Sequence, residues 1–222
     1  MRKLETAAAA ALATLVLALS ALPAHATLEE DVRQATTILE RFKDMPEEGI
    51  PKAVLRDAKG LAILTVLKAG FVFSGEGGTG IVVARLGKTS WSGPSSIATG
   101  GAGFGFQIGA SVTEFVMVLN TDEAVKAFSR GGNIKLGVDL SVAAGPVGRD
   151  LGAGVMPVAA IYSYSRSQGL FAGVSLEGTV IVTRDGENEE YYGRAVTPDE
   201  ILTGKVRPPK SANALIRTLE SF

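Results

Sequence analysis

The side chains that carry most catalytic and metal chemistry are nearly missing from this sequence. The chain has no cysteine and a single histidine, His25, which lies in a segment that we expect to be removed. Without imidazole or thiol, no Ser-His-Asp or Cys-His nucleophilic site can form. Nearly every zinc or copper site is excluded for the same reason, so we expect neither a metal nor a cofactor.

Carboxylates are the groups left for hydrolysis, since glycosidases work with a pair of them. Five acids lie in or beside apolar stretches: Glu76, Glu114, Asp139, Asp150 and Glu177. Glu114 and Glu177 are the most notable, because each lies inside a strand-like pattern. An acid at such a position usually points outward to solvent, and we adopt that interpretation for both. We therefore predict a protein that is not an enzyme.

Glycine clusters raise the alternative of a phosphate-binding loop. Gly75–Gly80, with the sequence GEGGTG, satisfies G-x-G-x-x-G. The dinucleotide fingerprint requires a helix after its glycines, but a β-branched run, 81–83, follows here. In the second cluster, Gly100–Ala110 (GGAGFGFQIGA), glycines alternate with larger residues. This alternation predicts a strand whose bare face lets another element approach closely. We interpret both clusters as structural.

The first 26 residues have the pattern of an export signal. Two basic residues precede an apolar run from Thr6 to about Leu22, and Ala24-His25-Ala26 is a small-x-small cleavage pattern. The run is close to the roughly 18 residues that span a bilayer, so an uncleaved anchor stays open as the alternative. We expect a periplasmic or secreted protein, cleaved near Ala26, with 27–222 as one domain.

Helical patterns mark both ends of this domain. Thr27 and Glu30 fit a capping box, and apolar residues at helical spacing predict an amphipathic helix over 28–43. A shorter helix is predicted from Lys52 to about Lys59. Three further helices are predicted to begin at Asn120, Thr197 and Ser211.

The middle of the chain has the pattern of strands. Apolar, β-branched runs bounded by glycines predict several of them between 61 and 119 and one near 160–166. Two alternating stretches predict half-buried strands, with Ile134, Leu136, Val138, Leu140 and Val142 on one face of the first and Val174, Leu176, Val180 and Val182 on one face of the second. The element order predicts an α+β fold, an antiparallel β-rich sheet or partial barrel with amino- and carboxy-terminal helices packed on it.

Taken together, these patterns resemble the SYLF domain family. The matching segments are AKGLAILTVLKAGFVFSGEGGTGIVVAR, WSGPSSI, GGAGFGFQIGA, FVMVLN, KLGVDLSVAAGPVGR, YSYSRSQGLFAGVSLEGTVI and YYG. The resemblance extends from about Thr27 to Phe222. It implies a lipid-binding, actin-associated module without catalytic residues, which binds anionic phospholipids peripherally, phosphoinositides in its eukaryotic members. Because the expected exported compartment holds no actin, we favour lipid over actin as the partner.

Basic side chains near the predicted helices are the candidates for this binding. Lys52, Arg56 and Lys59 are spaced to share one face of the short helix, and basic groups beside an apolar face suit anionic lipid. The predicted lipid-binding residues are Lys52, Arg56, Lys59, Lys43 and Lys68. The net charge of −1 lacks the overall positive charge that is typical of proteins that bind nucleic acid. Two alternatives stay open: the 28–43 helix packs on the sheet rather than on a membrane, and the protein is a structural or protein-interaction module of the cell envelope.

Overall fold

The computed structural model describes residues 26–45, 49–146, 159–169 and 179–222, with side chains described except at 70–74, 102–109 and 168–169. The expected export signal therefore lies outside the described residues, apart from Ala26. The acids Asp150 and Glu177 and the predicted strand residues Val174 and Leu176 also lie outside them.

Helix α1 spans Leu28–Lys43, the range that the sequence predicts. The Glu30 N–H donates to Thr27 Oγ1 (3.3 Å) and the Thr27 N–H donates to Glu30 Oε2 (2.9 Å), so the predicted capping box is confirmed. The apolar stripe of the helix, from Leu28 to Phe42, is buried in a core that it shares with the sheet. The helix thus packs on the protein's own sheet, which is the alternative that the sequence left open.

Helix α2 spans Lys52–Asp57 and ends before the predicted Lys59. Ala58 is extended, with ψ 134°, and the Lys59 N–H donates to the Leu119 carbonyl at 2.8 Å. Pairing with the sheet therefore takes Lys59 out of the helix. The predicted common face of Lys52, Arg56 and Lys59 is wrong for Lys59, because α2 carries only the first two.

Two strands of 25 residues, β1 (Gly60–Ala84) and β2 (Ser95–Leu119), form most of the sheet. They pair antiparallel from Gly60 opposite Leu119 to Val82 opposite Ser95. Both glycine clusters lie inside these strands, as the structural interpretation predicts. A strand at Gly75–Gly80 does not present the helix amino terminus on which a dinucleotide phosphate rests.

The two halves of β1 lie side by side, because the strand turns back on itself. The Arg85 N–H donates to the Lys59 carbonyl at 2.8 Å. Gly80 lies against the backbone of Ile63 and Leu64: a Cβ added to it would strike the Ile63 oxygen and lie 2.8 Å from Leu64 Cα. Only a residue without a side chain allows this approach, which is why the sequence needs glycine there.

Within the described residues the sheet has four further, shorter strands: β3 (Asn133–Lys135), β4 (Val142–Ala144), β5 (Ile161–Gly169) and β6 (Val180–Thr183). The second half of β2 pairs with β5 and its first half with β6, while β3 pairs with β6 and β4 runs parallel to β5. Counting the halves of β1 and β2 separately, the curled, mostly antiparallel sheet is eight segments wide. The predicted α+β fold class is confirmed.

Helices cover both faces of this sheet. The remaining ones are α3 (Asp122–Ser129), α4 (Asp185–Tyr192), α5 (Pro198–Leu202) and α6 (Asn213–Glu220). Helices α1, α2 and α6 share a core with Leu61 and Val116 on what we call the α1 face. Helices α3 and α5 share a second core with Leu64 and Phe115 on the opposite, or α3, face.

Two of the predicted helix caps are wrong. Thr121, and not Asn120, caps α3, because the extended backbone of Thr121 lets its side chain accept from the first turn. Asn120 instead donates its side-chain amide to a carbonyl just before β5. The Ser211 hydroxyl donates to the Tyr191 hydroxyl at 2.9 Å and makes no cap on α6. The predicted cap at Thr197 is confirmed.

The alternating stretch 134–142 does not form one strand. Strand β3 ends at Lys135, and Gly137, with φ +83°, turns the chain. The Lys135 N–H donates to Asp139 Oδ2 at 2.7 Å and closes the turn. Val138, which was predicted to lie on the buried face, is therefore 76% exposed.

Strand β6 also presents a different face from the one predicted. Its buried residue is Ile181, and its neighbours Val180 and Val182 are only partly buried. Ile181 lies opposite Thr99 of β2 and Ile134 of β3. Pairing of β6 with β2 on one side and β3 on the other therefore determines that Ile181 is buried, and the local alternation does not determine it.

Candidate functional site

A cavity of about 700 Å³ lies where the end of α1, the start of α2 and the carboxy-terminal residues meet. Its apolar walls come from three separate parts of the chain and include Leu39, Phe42, Ile50, Leu55 and Phe222. Leu39 and Phe42 belong to α1, and Leu55 belongs to α2. The cavity is therefore built by tertiary packing, since no local pattern in the sequence brings these walls together.

The local sequence explains why α1 stops beside the cavity. The Asp44 N–H donates to the Glu40 carbonyl at 3.1 Å and closes the last turn. Gly49 then packs against the helix end, where an added Cβ would lie 2.7 Å from the Phe42 oxygen. Pro51 precedes α2 with φ −59°, the angle that its ring fixes and that suits the start of a helix.

The side chain of Arg85, which follows β1, anchors the end of α2 to the sheet. Its Nε donates to the Ala58 carbonyl at 2.9 Å and its Nη2 to the Leu55 carbonyl at 2.8 Å, so the side chain binds carbonyls at the end of α2. The guanidinium also stacks on Trp91, 4.2 Å from the ring centre. Burial lowers the pKa of Arg85, against the raising effect of Asp57. This anchor holds one wall of the cavity in place.

Charged and polar side chains lie at the mouth of the cavity. Lys43, Asp44, Lys52 and Ser221 line it, and all four residues are exposed. Lys43 Nζ donates to Ser221 Oγ at 3.0 Å and lies 5.7 Å from the centre of the Phe222 ring. Among the described residues at the opening, Lys43 and Lys52 carry ammonium groups and Asp44 carries a carboxylate, and the side chains deeper in the cavity are apolar.

The structure brings together two of the five predicted lipid-binding residues. Lys43 and Lys52, on different helices, line the same cavity. Arg56 lies one turn further along α2, where its Nε is 3.2 Å from Asp57 Oδ1 in an exposed pair. Lys59 is exposed at the start of the sheet.

Lys68 lies apart from the other four. It is opposite Ser111 in the β1–β2 ladder. The alternation that buries Ala62, Leu64 and Val66 in the α3-face core continues to Lys68. Lys68 therefore belongs to the side of the sheet away from α1 and α2.

Sequence reasoning missed the apolar part of this site. Phe42 was visible only within the apolar spacing of the predicted 28–43 helix, and Met45, Ile50 and Phe222 carry no periodic signal. One signal in the sequence is that apolar residues, Met45 and Ile50, continue past α1 through a connection that contains proline and glycine. Their convergence on Phe222 has no counterpart in local sequence.

Glu114 is buried, contrary to the outward orientation predicted for it. Its side chain is 8% exposed and pairs with Arg41 of α1. Arg166 Nη1 of β5 lies 3.8 Å from Glu114 Oε2, and Gln34 Nε2 donates to Glu114 Oε1 at 3.4 Å. The carboxylate lies on the α1 face because α1 covers that part of β2. Among the described residues, its neighbours are cations and an amide, and no second acid pairs with it.

A second buried carboxylate lies near the start of α1. Asp31 Oδ1 accepts from the Thr79 hydroxyl at 2.7 Å, and Arg184 Nη1 lies 3.4 Å from Asp31 Oδ2. Burial raises the pKa of Asp31 to about 6, because desolvation outweighs the hydrogen bond from Thr79 and the charge of Arg184. Arg184 Nη1 also donates to the Ala26 carbonyl at 2.8 Å. This cluster ties the start of α1 to β1 and to Arg184, which lies between β6 and α4.

The described residues hold no group of three or more histidine, cysteine, aspartate or glutamate side chains that would bind a metal ion. Within the same residues, no helix has the length and hydropathy needed to cross a bilayer.

Comparison with known proteins gives a consistent set of relatives. The sequence model of the Ysc84 family, described as "Las17-binding protein actin regulator", matches residues 100–222. LAS seventeen-binding protein 3 of Saccharomyces cerevisiae is 47% identical over 208 residues, which cover 90% of this chain and 45% of the yeast protein. SH3 domain-containing YSC84-like protein 1 of Homo sapiens is 44% identical over 207 residues, covering 90% of this chain and 60% of the human protein. The chain spans about half the length of the curated relatives it matches.

Proposed function

The chain belongs to the Ysc84 family, the SYLF domain proteins, and from that premise we propose that it binds anionic phospholipid at a membrane surface without catalysing a reaction. The observation that supports this proposal is the cavity whose mouth carries Lys43 and Lys52 above apolar walls. Arg56 extends the basic area by one turn of α2. Concave apolar surface with a few charges at its edge is typical of a ligand site.

The expected binding energy is modest and electrostatic. Each lysine or arginine near an anionic membrane contributes about 1 kcal/mol. Lys43, Lys52 and Arg56 would together contribute about 3 kcal/mol, less the repulsion from the nearby carboxylates Asp44 and Asp57. Because this attraction falls off within a Debye length of about 10 Å at 0.1 M salt, binding should weaken as salt is added.

Liposome sedimentation tests this proposal. Vesicles that contain phosphatidylglycerol should bind the protein, and phosphatidylcholine vesicles should bind it much more weakly. The triple variant Lys43→Ala, Lys52→Ala, Arg56→Ala should lose most of this binding. A matched triple variant on the other face of the protein, Lys126→Ala, Arg130→Ala, Lys135→Ala, removes the same charge and should retain it. Equal loss in both variants would show a general charge effect and contradict the assigned site.

Lys59 and Lys68 are tested separately, because the structure places them differently. Lys59 is exposed beyond the end of α2, so Lys59→Ala should cause a smaller loss than Lys52→Ala. Lys68 lies on the α3 face, so we expect Lys68→Ala to leave vesicle binding unchanged. A loss at Lys68 equal to that at Lys52 would place the membrane on a different surface.

A protein partner is the second candidate function. The family description names an actin regulator and the yeast relative is named as a LAS seventeen-binding protein. For this chain we place a protein partner, actin included, second to lipid. This candidate would be favoured if the protein co-sediments with filamentous actin in the absence of lipid. The Lys43, Lys52, Arg56 triple variant should then co-sediment equally well.

We also propose that the protein is exported and cleaved after Ala26. The support is the sequence of residues 1–26, with its basic start, apolar run and small-x-small end. Mass spectrometry of the protein purified from its source should give Thr27 as the first residue. An intact leader on membrane-bound protein would indicate an anchor instead.

A further inference from the structure

We propose that the cavity between α1, α2 and the carboxy-terminal residues takes up one acyl chain of an anionic amphiphile. The protein would then bind an individual lipid molecule as well as a lipid surface. This inference rests on the proposed function, since the same two lysines would hold the anionic head group.

The interior of the cavity suits a hydrocarbon chain. Leu39 and Phe42 on α1, Ile50 before α2 and Leu55 within it are 0%, 4%, 9% and 4% exposed, and they form walls without polar side-chain atoms. Met45 and Phe222 are partly buried and complete the lining. An unbranched methionine adapts to ligands of different shape. These side chains offer no hydrogen bonds by which a polar ligand could be oriented.

Among the described residues that line the cavity, the charged ones lie at the mouth. The polar side chains that line the cavity, Lys43, Asp44, Lys52 and Ser221, are all exposed, whereas the apolar walls are buried. Of the described residues at the mouth, two carry ammonium groups and one carries a carboxylate, and this balance favours an anionic head group over a cationic one. An apolar interior with a cationic opening matches a molecule that has one hydrophobic end and one anionic end.

The size of the cavity is adequate for such a ligand. Its volume of about 700 Å³ lies within the roughly 300–1,000 Å³ of pockets that bury small-molecule ligands. Apolar burial favours binding by about fourfold for each methylene group. A ligand held only by its charge at the surface would show no such dependence on chain length.

Isothermal titration with single-chain lipids tests the inference. Decanoyl, dodecanoyl and tetradecanoyl lysophosphatidylglycerol are added to the full chain below their critical micelle concentrations. Affinity should rise about 15-fold with each two added methylenes until the cavity is filled. Lys43→Ala with Lys52→Ala should weaken binding of these lipids about 30-fold, and should leave the binding of lysophosphatidylcholine nearly unchanged.

Filling the cavity provides a second arm of the experiment. Met45→Trp and Ile50→Trp should each abolish the binding of monomeric lysophosphatidylglycerol. Ile50 is buried, so its variant is checked by urea unfolding, and the partly exposed Met45 keeps the test valid if Ile50→Trp fails to fold. Leu86→Trp, at an exposed apolar residue outside the cavity, is the matched control and should bind normally.

The outcomes separate this inference from the proposed function. The acyl-chain site is overturned if lysolipids bind without chain-length dependence, or if Met45→Trp still binds them. If vesicle binding persists in that case, the surface-binding proposal remains intact. Chain-length-dependent lysolipid binding without vesicle binding supports the site and contradicts surface binding. A dimer that Met45→Trp dissociates, with no lysolipid binding, assigns the cavity to a second copy of the chain and overturns the inference.

Discussion

Arg41 near the end of α1 forms an ion pair with Glu114, a carboxylate buried in β2 under that helix. The pair joins two residues far apart in sequence, and Arg166 lies on the other side of the same carboxylate. Loss of one partner from a buried pair leaves a charge without compensation, which is costly. Arg41→Ala should therefore lower the free energy of unfolding by about 2–3 kcal/mol, because Arg166 compensates only in part.

Urea denaturation measures this effect. The double variant Arg41→Ala, Glu114→Gln should recover much of the lost stability, since position 114 then carries no buried charge. The control is Arg33→Ala, whose partner Glu29 is exposed like Arg33 itself. Its effect should stay within about 0.5 kcal/mol, as is usual for surface pairs. Equal losses for Arg41→Ala and Arg33→Ala would contradict the buried character of the Glu114 pair.

Asp31 should make stability depend on pH. Its pKa in the folded protein is about 6, above the value of about 3.9 expected in the unfolded chain. The folded state thus binds the proton more tightly, so this group's contribution is full below pH 4 and is lost as the pH rises to about 6. The loss should amount to roughly 2–3 kcal/mol.

The variant Asp31→Asn removes this titration and retains an oxygen that accepts from Thr79. Urea unfolding between pH 4.5 and 7.5 should give a smaller decline with rising pH for Asp31→Asn than for the unmodified chain. Glu29→Gln, at an exposed acid on the same turn, should follow the unmodified chain. Parallel pH profiles for the Asp31→Asn and unmodified proteins would show that Asp31 titrates normally.

Gly80 should tolerate no side chain. Gly80→Ala would place a methyl group against the Ile63 oxygen and 2.8 Å from Leu64 Cα, both of them backbone atoms. The two halves of β1 would have to separate, and we expect a loss of about 3 kcal/mol or more.

In the matched control, Gly186→Ala, the expected change in stability has the opposite sign. Gly186 lies inside α4 with open space around its added Cβ. Gly186→Ala should therefore stabilise the protein by about 0.5–1 kcal/mol, because alanine favours helix over glycine. Thermal unfolding of the two variants should move in opposite directions, and a neutral Gly80→Ala would contradict the close approach of the β1 halves.

Arg85 should affect lipid binding without contacting lipid. Arg85→Lys keeps the charge but cannot donate to both the Leu55 and Ala58 carbonyls in the fork geometry of a guanidinium. We expect faster hydrogen exchange of the α2 amides and weaker vesicle binding than in the unmodified chain. Arg217→Lys, at an exposed residue of α6, is the control. Unchanged exchange in α2 would show that Arg85 is not its anchor.

Local sequence was sufficient where a feature depends on neighbours in the chain. The spacing of apolar residues and the Thr27–Glu30 capping box gave both ends of α1, and the Thr197 cap was recognised in the same way. The prediction failed where distant segments compete for the same backbone. Lys59 joins the sheet through Leu119 and leaves the helix, and Gly137 turns a stretch whose alternation suggested one strand.

The candidate site was predictable only in its charges. Lys43 and Lys52 stood out as basic residues near an amphipathic helix, whereas their common cavity with Phe222 depends on α6 returning to α1. The burial of Glu114 was equally hidden, because alternation shows that a residue shares a face with Val116 but does not show which helix covers it.

The sequence by itself determined the helix at the start of the domain, the strand character of the glycine clusters and the shortage of imidazole and thiol, since each follows from residue type and spacing. Only the tertiary structure decided that Gly80 lies against Ile63, that Arg41 reaches Glu114 and that Lys43 and Lys52 share a cavity. These relationships join residues whose separation along the chain carries no periodic signal. They form because burial of apolar surface draws α1, α2 and α6 onto one face of a curled sheet.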